Sequence, residues 1–212
     1  MQPVEPAYEA GFPWPPPPGE PAINALGRTW RGASLEPRTF YRALPAAASL
    51  GPALLYYLIL GIAVSGAQLF WSVTLRSAEP ERDAVLGGMG AGALSPVIQF
   101  LLSPLLLLLS LFLAAGVVHL LLRLFGGASR DFGFTTRVFA YAYSPQILGI
   151  VPFIGAVIGF IWMLAVAIIG LREGHETSTG KVLAAVLIPL SIGLFFVAVA
   201  MFIAAAGDLL TL

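Results

Sequence analysis

Two short stretches hold the side chains whose types and spacing invite chemistry. In "GHETSTGK", His175 and Glu176 open as a zinc-protease helix HExxH opens, but position 179 is Thr, so the second imidazole is missing. Lys181 follows Gly180 without the glycine-rich loop of a phosphate-cradling lysine, and no Asp cluster stands ready to hold magnesium. His119 lies three residues from the end of an apolar run, where an interfacial position or a plain hydrogen bond suits it better than a proton relay. The chain has no cysteine, which excludes thiolate catalysis and cysteine-bound metals. Every Asp and Glu falls in a tail or loop, so no catalytic residue, metal ligand or cofactor is assigned and a non-enzymatic protein is expected.

The second stretch, "YAYSPQILGIVPFIG", gathers Tyr141, Tyr143, Ser144 and Gln146 around Pro145 inside an apolar segment. Proline removes a backbone donor and disturbs one helical turn, so nearby carbonyls need partners. The Tyr and Gln side chains can supply them, as can a lipid headgroup or a partner protein. Tyr141, Tyr143, Ser144, Pro145 and Gln146 are therefore the candidate binding site, with structural packing as the plainer alternative.

The elements that must position these residues follow from composition. With 58% hydrophobic residues, 10% charged residues and a mean hydropathy of +0.88, the chain is an integral membrane protein whose first partner is the lipid bilayer. Eleven basic and eleven acidic residues cancel, so no basic surface recruits nucleic acid. Five apolar stretches run from Leu50 to Val73, Val97 to Leu122, Val138 to Val151, Phe153 to Leu171 and Val182 to Ala206. Four are long enough for a hydrocarbon core, which needs roughly 20 residues. The third is too short for a comfortable crossing, so it either spans at a thin place or forms a re-entrant pair with the fourth, and it belongs at the bundle's centre because lipid offers broken backbone no hydrogen bonds. Pro104 and Pro189 lie inside spans and are expected to kink them. Gly155 and Gly159 form GxxxG in the fourth stretch, a helix-packing face within this chain or between two copies.

Nine of the eleven Lys and Arg residues fall on one side if the N-terminus is cytoplasmic, which predicts an inside N-terminus and an outside C-terminus. Residues 1–21 hold eight of the 17 prolines and read as a disordered tail, either a bland spacer or a ligand for an aromatic-lined groove. They lack the basic start and apolar core of a secretory signal, so no cleavage is expected. In residues 22–48, Ile23, Leu26 and Trp30 share helical spacing and Arg28, Arg31, Arg38 and Arg42 flank Trp30, Phe40 and Tyr41, a pattern suited to the headgroup layer or to fixing topology. Ser34 and Pro37 mark the start of a short second helix.

The order of these features resembles a Yip1 domain, particularly its prokaryotic members. The resemblance rests on "EPRTFYRALP" before the first span, "LFGGASRDFGFTTRVFAYA", the YAYSP entry to a short helix, a VP turn followed by Gly, and a tryptophan-bearing helix ending in IIGLRE; it covers roughly Thr39 to Ala206. It implies a five-helix membrane domain with a cytosolic N-terminal tail, and with the readings above the expected fold is an all-α bundle of five transmembrane helices over residues 49–206, the third short and Pro-containing, preceded by interfacial helix segments and the disordered Pro-rich tail and followed by a short tail at 207–212. Eukaryotic members of that family are vesicle-traffic adaptors that bind prenylated Rab GTPases and carry a DLYGP motif. Here that place reads Glu36, Pro37, Arg38, Thr39, Phe40, Tyr41, and the family's GYS-like element is matched only in part by Tyr141 to Ser144. One Lys against ten Arg in an Ala- and Gly-rich chain points to a bacterial inner membrane. The expected function is an adaptor or organiser of membrane protein and lipid assemblies, working with a membrane-protein partner or a second copy. The rival is a small-solute or lipid transporter or channel component, whose cavity Gln68, Gln99, Tyr141, Tyr143, Ser144 and Gln146 would line.

Overall fold

The computed structural model describes residues 12–76 and 95–210, with side chains to residue 203. Among the described residues the secondary structure is helical: α1 (Ala22–Leu35), α2 (Pro37–Arg42), α3 (Gly51–Arg76), α4 (Pro96–Leu124), α5 (Phe132–Ala142), a 3-10 helix (Ser144–Ile150), α6 (Ile154–Gly174) and α7 (Thr179–Leu210). Four stretches within these helices, Gly51–Leu75, Pro96–Leu124, Ile154–Gly174 and Thr179–Ile203, are long and apolar enough to cross a membrane. These are four of the five stretches expected to cross; the third, Val138 to Val151, is the end of α5 joined to a 3-10 helix rather than one continuous helix.

Local sequence explains the boundaries. Ser95 caps α4 by accepting from the Ile98 N–H at 3.3 Å, with Pro96 in the first turn where its missing donor costs nothing. Asp131 caps α5 by accepting from the Phe134 N–H at 2.9 Å. Pro37 opens α2 in the same way as Pro96 opens α4. Pro104 and Pro189 sit inside continuous helices.

The broken third segment runs antiparallel along α6. Gly174 sits against the Phe134 ring, Gly170 against Val138, Gly159 against Pro145 and Gln146, and Gly155 against Leu148. A 21-residue α6 rises about 30 Å, and the α5 plus 3-10 unit follows it for most of that length. Gly155 and Gly159 thereby face backbone of the same chain: a Cβ on Gly159 would lie 2.9 Å from the Pro145 carbonyl oxygen, and one on Gly155 would overlap the Leu148 carbonyl oxygen. The turn between the two arms ends in Phe153 at φ 65°, a conformation that costs a bulky side chain energy.

The most buried part of the bundle lies at one end, where α1, α2, the α5 start, the α6 end and the α7 start enclose Tyr41, Tyr56, Leu122, Phe134, Val138, Leu171 and Val182. The distal half of α7 is exposed along Ile192 to Ile203. One expectation for the N-terminal region is corrected here. Residues 12–21 are not a solvated tail: Phe12 packs on Phe40 and Tyr141, and Trp14, 4% exposed, packs on Tyr56 and donates its indole N–H to the Pro52 carbonyl at 2.7 Å. Apolar burial of two aromatic rings outweighs the proline run's preference for an extended, solvated state. The rest of that expectation, residues 1–11, and the 211–212 end of the C-terminal tail lie outside the described residues. The packed stripe of α1 is Ala25, Thr29 and Ala33, which let the helix approach closely, while Ile23 faces outward.

Candidate functional site

The helix break at Pro145 organises the site. In an uninterrupted helix, residue 145 would donate to the Tyr141 carbonyl; proline cannot, and the Ser144 hydroxyl takes over that carbonyl at 2.6 Å. Ser144 is wholly buried, and its Oγ in turn accepts from the Tyr56 hydroxyl at 2.7 Å. Its own carbonyl accepts from the Trp30 indole at 3.0 Å. The chain then tightens into 3-10 geometry, opened by the Gln146 N–H bonding the Tyr143 carbonyl at 2.8 Å. At the far end of that helix the Ile150 carbonyl accepts from the Trp71 indole at 2.8 Å.

The five candidate residues are therefore adjacent but do different things. Tyr141 is buried in an aromatic cluster with Phe12, Phe40 and Tyr56. Tyr143 stacks edge-on against Tyr57 with centroids 4.7 Å apart. Pro145 is buried, and Gln146 lies half-buried against Gly159. Of the expected suppliers at the broken turn, the Tyr141, Tyr143 and Gln146 side chains are not the ones used: the donors are Ser144 itself, Trp30 of α1 and Tyr56 of α3. Sequence reasoning missed those partners. The available signal was that a buried indole N–H seeks an acceptor, and all four tryptophans donate to backbone carbonyls, Trp162 to Ser34 at 3.1 Å being the fourth.

Two charged anchors also escaped the sequence reading. Arg137, 3% exposed, sends Nη1 to the carbonyls of Pro45 (2.9 Å) and Ala48 (2.7 Å) and Nη2 to that of Ala46 (2.7 Å), tying the α2–α3 connection to α5. Its guanidinium also stands 5.4 Å from the centroid of the Phe134 ring. Arg42 does more than flank an aromatic residue: its Nε meets Glu173 of α6 at 2.7 Å. Of the other flanking arginines, Arg28 pairs with Glu20 and Arg31 with Glu36 at 3.6 Å, and Arg38 is exposed on α2.

The histidines, separated by 56 positions, are joined through one hydroxyl. The Arg130 N–H donates to His175 Nδ1 at 3.2 Å, which leaves the ring's proton on Nε2 to donate to Thr135 Oγ1 at 2.9 Å; Thr135 then donates to His119 Nδ1 at 2.8 Å. Burial pushes His175 down to about 4, helped by His119 and Arg130 and opposed by Asp131. The relay thus holds a neutral imidazole in place. Among the described residues no group of three or more His, Cys, Asp and Glu is placed to hold a metal ion.

Comparison with protein families matches residues 31–201 to the Yip1 domain. The chain belongs to the Yip1 domain family. Neither a curated protein nor a solved structure matches it. The matched range begins inside α1 and ends within α7, so the Yip1 domain takes in α2, the broken third segment, α3, α4 and α6 whole and α7 as far as Met201. Trp30 and the Phe12–Pro21 segment lie just ahead of it, although both pack onto its central residues.

Proposed function

We propose that this Yip1-domain protein is a non-enzymatic adaptor or organiser of membrane protein and lipid assemblies. In this reading the α5 plus 3-10 unit makes a fifth crossing, the N-terminus is cytoplasmic and the C-terminus is outside. The observation that carries the proposal is the fixed cap at the basic end. Residues 12–48 are tied to the bundle by Trp14, Trp30, Trp162, Arg137 and Arg42, so the protein presents a shaped polar surface where nine of its eleven basic residues would face the cytoplasm. A transporter reading loses support because Gln68 and Gln99 are exposed and Ser144 spends its hydroxyl and carbonyl on internal bonds, so these groups do not converge on a polar passage.

The test is affinity purification in gentle detergent with mass spectrometry, comparing the parent with the double change Tyr143→Phe and Gln146→Leu. A stoichiometric protein partner supports the adaptor reading, and its loss from a folded double variant places the contact at the third segment. Solute uptake by purified protein in vesicles, with no partner recovered, would overturn it. Cysteines at Ser129 and Ser178 should be shielded from an impermeant thiol reagent in intact cells; strong labelling at Ser129 would reverse the orientation.

A further inference from the structure

Where α2, the 125–131 connection, the start of α5 and the end of α6 meet, they leave a cavity of about 480 Å3. Its wall includes Arg42, Arg130, Arg172, Glu173 and Glu176. Three guanidiniums against two carboxylates give this wall one positive charge in excess. Arg42 uses Nε on Glu173 and Arg130 uses Nη2 on Glu176 at 3.0 Å, so most of the fork-shaped donor capacity of these side chains is unspent.

Glu173 is the unusual member. Its side chain is 7% exposed, its Oε2 is held by Arg42, and its Oε1 lies 3.8 Å from Arg172 Nη2 with no hydrogen-bond donor at all. A buried carboxylate oxygen without a donor is rare and calls for a partner. Glu173 lines the cavity, and the terminal torsion of a glutamate is soft. The forks of Arg130 and Arg172, with most of their donors free, suit the several oxygens of a phosphate.

We propose that this cavity binds a phosphate ester that carries a neighbouring hydroxyl or ammonium donor, with the phosphate on Arg130 and Arg172 and the donor on Glu173 Oε1. Such a group comes either from a phospholipid headgroup or from a soluble phosphate ester.

The full chain, purified in detergent, separates the two sources. Native mass spectrometry after exchange into phosphatidylglycerol or phosphatidylcholine reads retained lipid, and isothermal titration with glycerol 3-phosphate reads the soluble arm. One retained phosphatidylglycerol per chain assigns a headgroup, whereas micromolar glycerol 3-phosphate binding assigns a soluble ester. In either case Arg130→Gln with Arg172→Gln should cut occupancy or affinity at least tenfold, while Arg123→Gln, which removes a charge outside the cavity wall, should not. Glu173→Gln supplies a second reading: it keeps an acceptor, so binding of a hydroxyl-bearing ester should survive. Equal retention in the Arg130/Arg172 variant and the parent, or no binding of either probe to a folded parent, would overturn the proposal.

Discussion

Replacing Arg137 by Met removes the donor that holds three carbonyls, those of Pro45, Ala46 and Ala48, in the connecting chain. Each bond from a charged donor contributes about 1.5–3 kcal/mol. Against this stands the several kcal/mol that it costs to bury a guanidinium with no carboxylate bonded to it. Ala46 and Ala48 are exposed, so water can take over part of their carbonyls' bonding, which keeps the expected net loss near 2–3 kcal/mol. For a chain of this size each kcal/mol moves Tm by about 2–4 °C, so Arg137→Met should lower it by about 5–10 °C. Arg137→Lys keeps the charge and the stem but replaces the fork with a point donor, so it should lose roughly half as much. Thermal unfolding in detergent, followed by tryptophan fluorescence and circular dichroism, measures both. A Met variant within 2 °C of the parent would refute the anchoring role; equal losses in Lys and Met would refute the dependence on a fork.

Three further outcomes are expected. Trp30→Phe should destabilise the protein by about 1–3 kcal/mol because it leaves the buried Ser144 carbonyl without its donor, and an unchanged unfolding midpoint would show that water replaces the indole. Gly155→Ala should prevent a stable bundle, since its Cβ would overlap the Leu148 carbonyl, whereas Gly193→Ala should be neutral because nothing lies within 4 Å of its Cβ; similar expression and Tm for the two would show that the α6 contact is not tight. Because the folded pKa of His175 is about 4, below the ordinary 6.5, the neutral ring's contribution is complete above pH 6.5 and is lost as the pH falls from 6.5 to 4, by at most about 3 kcal/mol and less with solvent screening. His175→Gln should flatten the stability profile over that window, and a slope as steep as the parent's would assign it to other groups.

The solvent and the length of the elements are legible in local sequence. Apolar runs of span length, bounded by Ser95, Pro96 and Asp131, are local facts, since hydropathy and capping act within one helix. It also located the irregular place, because Pro145 forbids the bond to the Tyr141 carbonyl whatever surrounds it. It did not determine how the break would be repaired. The donors come from Ser144, Trp30 and Tyr56, two of them more than 80 positions away, and no periodicity links them. The proline-rich "FPWPPPP" reads as solvated because its local preference is extended chain, yet Phe12 and Trp14 find aromatic faces that exist only once α2, α3 and α5 have met. For the same reason Glu173, one more charge at a helix end in the sequence, becomes a buried carboxylate with a vacant oxygen only when Arg42 is carried onto it from 131 positions away. Burial and long-range pairing depend on which surfaces meet, and that is a property of the assembled bundle rather than of any one segment.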